Sequence, residues 1–490
     1  MDAHALIVGG GCAGLSLGVH VVEAARRAGR ACPRVEIVEP REAYARDRTW
    51  CGWRFGEHPF TAAVSHRWQR WAVQEGSRRI VRASARHPYE CIPADAFYRL
   101  AQARLGPARL RLGTSVTAIE DRGDHVVVET SAGTLRAAMV FDSRPETPGE
   151  QTETGVDEVS LLQHFVGWEI TAPRPCFDPD VVEMMDFAVS QARGLHFMYM
   201  LPFSDRTALV EATYISPAGL DAAQYESDIR GWLERRYGLR EFTVEFREAG
   251  RIPMSTRPAR PRSSPRVVQI GLRGGLAKPS TGYAFAAIQE FSAGLAARIV
   301  ASPDGPVEPP EARGAAVVAM DRVFLSYLDR HPGRGPALFA DLFEKLPPDL
   351  LCRFLTDHGS PLDGLRVMAA TPLGAMTAEV LRSRARTCAG SRPGSRRLTE
   401  RTGRSAGTRL TEGTGRRARR LTERTGPRAP ARDLSPGTGS WRRAGGCRRA
   451  GRIAGRGSTR SSRRSSIPGD RGWSRWPGRR GRGGGASSRS

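Results

Sequence analysis

The chain has 490 residues, of which 40% are hydrophobic and 26% charged, and its formal net charge is +24 at pH 7. This length excludes a small disulfide-stabilised module, and because no stretch of about 18 apolar residues occurs, we expect no membrane-spanning helix. The eight cysteines are scattered, without a C-x-x-C pair or a histidine at ligand spacing. We therefore expect no disulfide framework, no metal site and a reducing compartment.

The positive charge is confined to the C-terminal end. Residues 391–490 contain 28 Arg, no Lys and five acidic residues, whereas the preceding 390 residues have a balance of +1. A strongly basic chain often binds nucleic acid, but a near-neutral body argues against that function. We therefore expect no specific nucleic-acid partner.

The first forty residues predict a β-turn-α-β unit. A short apolar strand at residues 5–8 leads into three glycines with the spacing G-x-G-x-x-G: Gly9, Gly11 and Gly14. A helical pattern over 15–28 follows, and then a second strand that ends at Glu39. Glycines let the backbone approach a pyrophosphate, the helix N-terminus attracts its charge, and a carboxylate in this position accepts hydrogen bonds from ribose hydroxyls. This context predicts a dinucleotide site, with an unliganded glycine-rich turn as the alternative.

The remaining chain divides into strand-rich, helical and low-complexity regions. Residues 125–142 predict a hairpin, and 160–265 is rich in strand-like runs, of which 207–215 is among the clearest. A strand at 267–270 is followed by helical patterns, at 284–300, 314–330 and 336–358. Beyond about residue 383 almost no apolar residues are available to bury, so we expect a disordered tail.

Two further segments favour FAD over NAD. Asp142 ends the predicted hairpin, where flavoproteins of the extended dinucleotide-binding type place a loop beside the nucleotide. Residues 271–283 resemble the second flavin segment of that class, with a glycine-rich turn for the ribityl phosphate and a Pro-x-Thr-Gly turn for the isoalloxazine. The candidate contacts in this segment are Gly271, Pro279, Thr281 and Gly282. An ordinary strand-to-helix loop is the alternative. Arg48 is a further candidate, although pairing with Asp47 would also explain it.

Nine short stretches between Ala5 and about Met376 occur in a characteristic order. They are D-R-T-W at 47–50, Y-E-C-I at 89–92, G-W-E at 167–169, M-M-D at 184–186, M-Y-M-L-P at 198–202, L-V-E-A-T at 209–213, G-R-I-P at 250–253, the segment 271–283 and F-L at 354–355. In this order they resemble the bacterial-type lycopene β-cyclase family. The resemblance implies lycopene as substrate, reduced FAD as cofactor, NAD(P)H as reductant and cyclisation of the ψ-ends without net redox change.

The expected fold class is α/β. We expect a Rossmann-like FAD-binding domain with an inserted β-rich substrate domain, a helical C-terminal region and a disordered tail. The expected boundaries are 1–150 for the first part of the FAD-binding domain, with 60–95 contributing to the cap, 151–265 for the substrate domain, 266–305 for the second FAD-binding part, 306–385 for the helical region and 386–490 for the tail.

The tail has three interpretations. Its arginines could bind anionic lipid or nucleic acid, it could be a passive extension, or it could result from a shifted or run-on reading frame. The matching stretches end near the change in composition, which favours the last two. We therefore expect deletion of 391–490 to leave activity and flavin binding intact.

The resemblance implies that Glu211 is the catalytic acid. On a strand over 207–215, Leu209, Glu211 and Thr213 share one face, and apolar neighbours raise the pKa of a carboxyl by desolvation. Plant members have two adjacent acids here, whereas Ala212 follows Glu211, so any role of a second acid is absent or supplied elsewhere. A carboxylate paired with an arginine is the alternative.

Cyclisation also needs a site that stabilises a carbocation. A neutral carboxylic acid is a weak donor to an alkene, so we expect the negative charge of reduced flavin and aromatic faces to stabilise the cation. The candidate substrate contacts are Trp168, Asp186, Phe197 and Tyr199. Core packing, or helix capping for Asp186, is the alternative. A redox flavoenzyme, such as a monooxygenase or an isoprenoid reductase, would share the glycine motif and would consume NAD(P)H stoichiometrically.

Lycopene dissolves in the bilayer, so we expect a cytoplasmic protein that associates peripherally with the inner face of the cell membrane. The helical stretch over residues 314–382 is expected to provide the contact. Its apolar residues are Phe324, Leu325, Leu328, Phe339, Leu342 and Phe343. A stripe of core residues is the alternative.

Overall fold

The computed structural model describes residues 1–145, 158–257, 260–372, 374 and 376–382. The expected tail, 386–490, lies outside the described residues, and the disorder predicted for it stays a prediction. The helices are α1 (Cys12–Arg27), α2 (Ala94–Arg104), α3 (Ala222–Tyr237), α4 (Phe285–Ala301), α5 (Ala315–Arg330), α6 (Gly335–Lys345), α7 (Pro348–Leu355) and α8 (Pro361–Ala370).

The strands begin with β1 (Ala3–Val8), β2 (Val35–Val38), β3 (Thr49–Trp53), β4 (His66–Trp68), β5 (Arg70–Glu75), β6 (Arg78–Ala83), β7 (Tyr89–Pro93), β8 (Arg109–Arg111) and β9 (Val116–Asp121). They continue with β10 (Val126–Thr130), β11 (Gly133–Asp142), β12 (Ser160–Thr171), β13 (Val181–Asp186), β14 (Leu195–Pro202), β15 (Thr207–Ser216), β16 (Thr243–Ser255), β17 (Arg262–Ser264) and β18 (Val267–Gln269).

An eight-stranded, mainly parallel sheet forms the Rossmann-like part. Its main order is β17-β18-β11-β1-β2-β8, with β10 and β9 added beside β11. Strand β1 lies parallel to both β2 and β11, and α1 connects β1 to β2. The apolar residues of β1 are buried, and α1 packs against α4. The α/β class and the β-α-β start predicted from the sequence are confirmed, with the first helix observed over Cys12–Arg27.

A seven-stranded sheet carries the face on which Glu211 lies. Its order is β16-β12-β15-β14-β13-β5-β6, so β12 lies between β16 and β15. Side chains alternate along β15, as expected for a strand. Ala208, Val210 and Ala212 pack in a cluster with α3, whereas Leu209 packs in a separate cluster on the opposite face. A three-stranded sheet, β3-β7-β4, contributes Cys91 and Tyr89 to that second cluster.

The C-terminal helices complete the second cluster. All six apolar residues expected to contact a membrane are buried there: Phe324, Leu325, Leu328, Phe339, Leu342 and Phe343. The expectation that they form an exposed stripe is therefore wrong, because α5 and α6 turn their apolar sides to the seven-stranded sheet. Phe187, which follows β13, stacks on Phe339 with ring centroids 6.1 Å apart. In the described part of the chain, no helix combines the length and hydropathy needed to cross a bilayer.

Candidate active site

The glycine-rich turn before α1 leaves the helix N-terminus open. Gly9 has a φ of +97°, and a Cβ on Gly14 would lie 1.9 Å from the Gly9 carbonyl oxygen, so neither position accommodates a side chain. The N-cap residue Gly11 supplies no side-chain hydrogen bond, and apart from its neighbours in the chain no atom lies within 4 Å of where its Cβ would be. The free N–H groups and positive end of the helix dipole therefore face available space, which suits a phosphate group.

Glu39 follows β2 and holds the glycine-rich turn. Its carboxylate accepts a hydrogen bond of 2.6 Å from the Gly10 amide and bonds of 3.0 and 2.8 Å from the amide and Nε of Arg41. Burial raises the pKa of Glu39, but the hydrogen bonds and charge of Arg41 outweigh this effect and keep the pKa below its ordinary value. Glu39 is therefore ionised beside the turn, and its contact with a ribose stays a prediction.

The second glycine-rich segment lies beside the first. Gly271 has a φ of +66°, and its Cβ would be 2.8 Å from the Cβ of Ala13 in the first turn of α1. Gly282, with a φ of +76°, approaches β12 so closely that its Cβ would lie 2.9 Å from Oε1 of Gln163. The segment between these glycines therefore runs from the start of α1 to the seven-stranded sheet. This proximity of the two motifs is not visible in their separation along the chain.

Three predicted cofactor contacts have partners within the protein. The hydroxyl of Thr281 donates to the Leu355 carbonyl at 3.0 Å, whereas Pro279 is half-buried. Asp142 is buried and accepts hydrogen bonds of 3.0 and 2.9 Å from Nε and Nη2 of Arg144. Arg48 is more exposed and pairs with Asp47 at 3.0 Å.

Arg48 also acts electrostatically on Cys12 and on Glu248. Its charge lowers the pKa of the Cys12 thiol at the start of α1, although burial dominates and raises that pKa to about 12. The same charge lowers the pKa of Glu248 on the seven-stranded sheet. Arg48 is therefore near enough to both groups to act on them electrostatically, and its contact with a flavin stays a prediction.

Four residues form a row across the seven-stranded sheet. Tyr199 of β14 pairs directly with Glu211 of β15, Glu211 pairs with Gly167 of β12, and Gly167 pairs with Glu248 of β16. Directly paired residues in an antiparallel sheet point to the same face. The structure therefore places Tyr199 and two glutamates on one face, with a glycine between the glutamates.

Gly167 lets the two carboxyl groups approach each other. A Cβ on Gly167 would lie 2.9 Å from Cγ of Glu211 and 3.2 Å from Cγ of Glu248. Both glutamate side chains thus lean over the glycine from its two neighbouring strands. A larger residue at this position would separate them.

The two carboxyls are buried and electrostatically linked. Glu211 is 9% exposed and Glu248 3%. Burial raises the pKa of Glu211 well above its ordinary value, and the charge of Glu248 raises it further. Burial also raises the pKa of Glu248, to about 7, against the lowering effects of Glu211, Thr49 and nearby arginines. Burial therefore favours the protonated form of both carboxyls.

Glu248 has close polar neighbours but lacks a conventional partner. The Glu211 carboxyl and the Thr49 hydroxyl lie close enough to lower its pKa. Even so, neither Glu248 oxygen meets the distance and angle of an ordinary hydrogen bond to any described residue. Buried carboxylates normally satisfy both oxygens, so this arrangement is unusual for a structural residue.

Aromatic rings surround the row on the same face. Phe197 pairs across the strands with Thr213 and shares a buried cluster with Tyr199. The Tyr199 and Tyr89 hydroxyls are 3.0 Å apart, and the Tyr89 and Tyr283 hydroxyls 3.4 Å apart. Because Tyr283 follows Gly282, this chain of tyrosines connects the second glycine-rich segment with Glu211.

Trp168 and Asp186 lie on the opposite face of the sheet. Trp168 packs in the cluster that contains α3. Successive residues of a strand face opposite sides of the sheet, and Gly167, the residue before it, lies on the Glu211 face. Asp186 accepts hydrogen bonds of 2.9 Å from Nε1 of Trp232 in α3 and 2.8 Å from the Ala188 amide. The expected substrate contacts of Trp168 and Asp186 thus disagree with their positions, since neither side chain is on the Glu211 face. Asp186 does not cap a helix either.

Sequence reasoning missed Glu248 and the role of Gly167. Both lie in or beside stretches quoted for the family resemblance, G-W-E and G-R-I-P. The alternation of a strand could have assigned Glu248 to one face, but only the register of β12 with both neighbours brings it opposite Glu211.

The chain matches the family model described as lycopene cyclase protein over residues 5–381. It is 30% identical over 287 residues to the lycopene beta-cyclase of a Paracoccus species, which covers 54% of this chain and 68% of that protein. It is 26% identical over 321 residues to the lycopene beta-cyclase of Pantoea ananas, which covers 63% of this chain and 79% of that protein.

Solved structures share the fold at low sequence identity. A flavoprotein/dehydrogenase from Cytophaga hutchinsonii has a TM-score of 0.54 at 14% identity, covering 79% of this chain and all of that one. A geranylgeranyl bacteriochlorophyll reductase-like protein from Thermoplasma acidophilum has a TM-score of 0.50 at 12% identity, covering 76% of this chain and 97% of that one. At these identities the likeness shows the fold alone.

Proposed function

The chain belongs to the lycopene cyclase family, and on this basis we propose that it is a lycopene β-cyclase that closes the ψ-ends of lycopene into β-ionone rings. Its products are γ-carotene or β-carotene, depending on whether one or both ends react. The reaction rearranges bonds without net oxidation or reduction. The observation that carries the proposal is the buried Glu211 carboxyl, whose pKa is raised by burial and by Glu248, on an apolar and aromatic face.

The residues around the start of α1 fit FAD. The close turn at Gly9 and Gly14, the open helix N-terminus at Gly11 and the approach of Gly271 to α1 support a pyrophosphate and ribityl site. Glu39 is the proposed ribose contact. Asp142 would act indirectly, because Arg144 occupies its carboxylate.

A second group of residues would hold the isoalloxazine. We assign Arg48, Pro279, Thr281 and Gly282 to it, since the turn at 279–282 lies against β12. Reduced FAD, when bound, supplies negative charge that stabilises a nearby carbocation, and NAD(P)H is the proposed reductant.

In the proposed mechanism Glu211 donates its proton to C2 of a terminal double bond of lycopene. A tertiary cation forms at C1, the C5–C6 double bond attacks it, and loss of the proton at C6 leaves the β-ring. The raised pKa keeps Glu211 protonated near neutral pH, as a general acid requires. Phe197 and Tyr199 contribute aromatic faces to the same side of the sheet, where they exclude water and attract a cation.

We also propose that the protein associates peripherally with the inner, cytoplasmic face of the cell membrane. Leu362 and Leu365 of α8 are 57% and 58% exposed, and Met368 is also exposed. These residues recur at three-residue spacing, so they share one side of the helix. Arg366 lies among them and would meet anionic headgroups. We propose this surface in place of the six apolar residues that were expected to contact the membrane, because those residues are buried.

The proposed function is tested by supplying the full-length protein with FAD, NADPH and lycopene in liposomes under anaerobic conditions. Separation of the pigments by chromatography should reveal γ- or β-carotene, with NADPH oxidised in far less than stoichiometric amount. Stoichiometric NADPH oxidation without a cyclised product would contradict the proposal and favour a redox flavoenzyme.

A further inference from the structure

We propose that Glu248 is the general base of the reaction, which removes the proton from C6 and returns it to Glu211 between turnovers. This inference rests on the proposed cyclisation at Glu211. That reaction gains a proton at C2 and loses one at C6, so an enzyme needs an acid and a base that end each turnover in exchanged states.

The two carboxyls have the arrangement that such an exchange requires. They lie on the same face, on the two strands that flank β12, and only Gly167 lies between them. The close approach of both Cγ atoms to that glycine brings the carboxyl groups over one point of the sheet. Each carboxyl acts on the pKa of the other, so the two share a site within which a proton can be exchanged.

Glu248 also differs from the buried acids that have structural partners. Glu183, on the same sheet, forms an ion pair with Arg79 at 2.6 Å, and Glu36 forms one with Arg111 at 2.7 Å. Among the described residues, neither Glu211 nor Glu248 forms an ion pair within 4 Å. A buried carboxylate that only stabilises the fold is normally paired, because the desolvation of an unpaired charge is unfavourable.

The proton released at C6 replaces the proton donated to C2. The O–H bond of Glu211 breaks as the C1–C2 π pair forms a C2–H bond, and Glu211 becomes a carboxylate. The C5–C6 π pair then forms the C1–C6 bond, which places the cation at C5. The C6–H bond breaks, its electrons form the C5–C6 double bond, and the proton joins Glu248. Transfer of that proton to Glu211 restores the starting state without any oxidant or reductant.

The surrounding charges assign the two roles. Glu248 faces the positive charges of Arg46 and Arg48 as well as the Glu211 carboxyl, and its pKa is raised by burial to about 7. Glu211 faces Glu248 and the Cys91 thiol, and burial with these neighbours raises its pKa. The positive charges beside Glu248 favour its ionised form, and the charge of Glu248 in turn favours the protonated form of Glu211.

The experiment compares Glu248→Gln with the parent and with Glu245→Gln, an exposed glutamate on the same strand, as full-length proteins loaded with FAD. Lycopene in liposomes is the substrate. We expect Glu248→Gln to form β-rings at least about 100-fold more slowly than the parent, which is the range for loss of a general base. We expect its residual product to contain ε- or γ-rings, because the cation then loses a proton from C4 or the C5 methyl group. Glu245→Gln should behave like the parent.

The pH profile and a conservative variant separate catalysis from structure. In the parent, β-ring formation should decline as the pH falls below about 7, when Glu248 takes up a proton. This acidic decline should disappear in Glu248→Gln, and Glu248→Asp should restore part of the rate and the β-ring outcome. FAD absorbance and thermal unfolding verify that the variants are folded.

The outcomes distinguish the two proposals. A parent that makes no cyclised product contradicts the proposed function itself. An active parent with a Glu248→Gln variant that keeps the parental rate contradicts only the role of Glu248. A rate that falls equally at all pH values, with the ring type unchanged, also contradicts that role and indicates a structural one.

Discussion

Lys278 and Asp321 form a buried ion pair, with Nζ and Oδ1 2.9 Å apart and both side chains almost fully enclosed. Lys278 belongs to the second glycine-rich segment and Asp321 to α5. Asp357, which follows α7, also contacts Lys278, and Arg313 in turn pairs with Asp357. The segment assigned to the flavin is thus attached to the C-terminal helices by charged groups as well as by apolar packing.

Replacement of Lys278 should destabilise the protein. Lys278→Met leaves the buried Asp321 carboxylate without its cation, whereas Asp357 keeps its ion pair with Arg313. Loss of one partner from a buried pair is unfavourable by roughly 3–5 kcal/mol. Denaturant unfolding measures the effect. The other lysine, Lys345, is half exposed and pairs with Asp341, so Lys345→Met should change the free energy of unfolding by less than about 1 kcal/mol. If Lys278→Met lowers the free energy of unfolding as little as Lys345→Met does, the buried ion pair of Lys278 does not stabilise the protein.

Replacement of Glu211 should abolish most of the activity. Glu211→Gln keeps the shape of the side chain but removes the proton donor, so we expect carotenoid cyclisation to fall by about 100-fold or more. Bound FAD, measured by its absorbance, should remain at the parental level. Glu245→Gln serves as the exposed control. A Glu211→Gln variant that cyclises lycopene normally would remove Glu211 from the mechanism.

The carboxyl pair should make stability depend on pH. The pKa values of Glu211 and Glu248 are higher in the folded protein than in the unfolded chain. Between the unfolded value, about 4.5, and the folded values, the folded state binds more protons, so the contribution of these groups to stability decreases as the pH rises. Relative to the parent, Glu248→Gln should therefore gain stability between pH 5 and pH 8, as measured by denaturant unfolding. If the difference in unfolding free energy between Glu248→Gln and the parent is the same at pH 5 and at pH 8, the pKa of Glu248 is not raised.

A side chain at position 167 should separate the carboxyls. In Gly167→Ala the new Cβ would lie 2.9 Å from Cγ of Glu211, so the glutamate must move. We expect cyclisation to fall by about 10-fold or more, since small displacements of reacting groups have effects of this size or larger. The protein should remain folded and bind FAD. Gly333→Ala is the matched control, because apart from the chain neighbours no atom lies within 4 Å of the new Cβ. Parental activity in Gly167→Ala would show that the close approach of the carboxyls is unimportant.

The exposed side of α8 should determine membrane binding. Leu362→Glu with Leu365→Glu adds negative charge to the proposed contact, so we expect less protein to sediment with anionic liposomes. Cyclisation of liposomal lycopene should fall, whereas activity on detergent-dispersed lycopene should persist. Val81→Glu alters an exposed apolar residue on β6 and should have no effect. Unchanged sedimentation of the double variant would place the membrane contact elsewhere.

Local patterns were sufficient for several elements. The apolar run, the glycine spacing and Glu39 predicted the β1-α1-β2 start, because each of these signals lies within a few residues of the structure that it determines. The strand over 207–215 was also predicted, and β15 is observed at Thr207–Ser216. The helical patterns at 314–330 and 336–358 correspond to α5, α6 and α7, with a break at Leu346 and Pro347.

The amino-acid sequence by itself determined the family, the α/β class and Glu211 as the acid to test. Only the tertiary structure decided which residues share a site with Glu211. Glu248 lies 37 residues from it along the chain and reaches it through the register of β12 with two other strands. The same register turned Trp168 away, and the packing of α5 and α6 buried the residues expected at a membrane. Register and packing depend on contacts between distant segments, and a local pattern does not contain them.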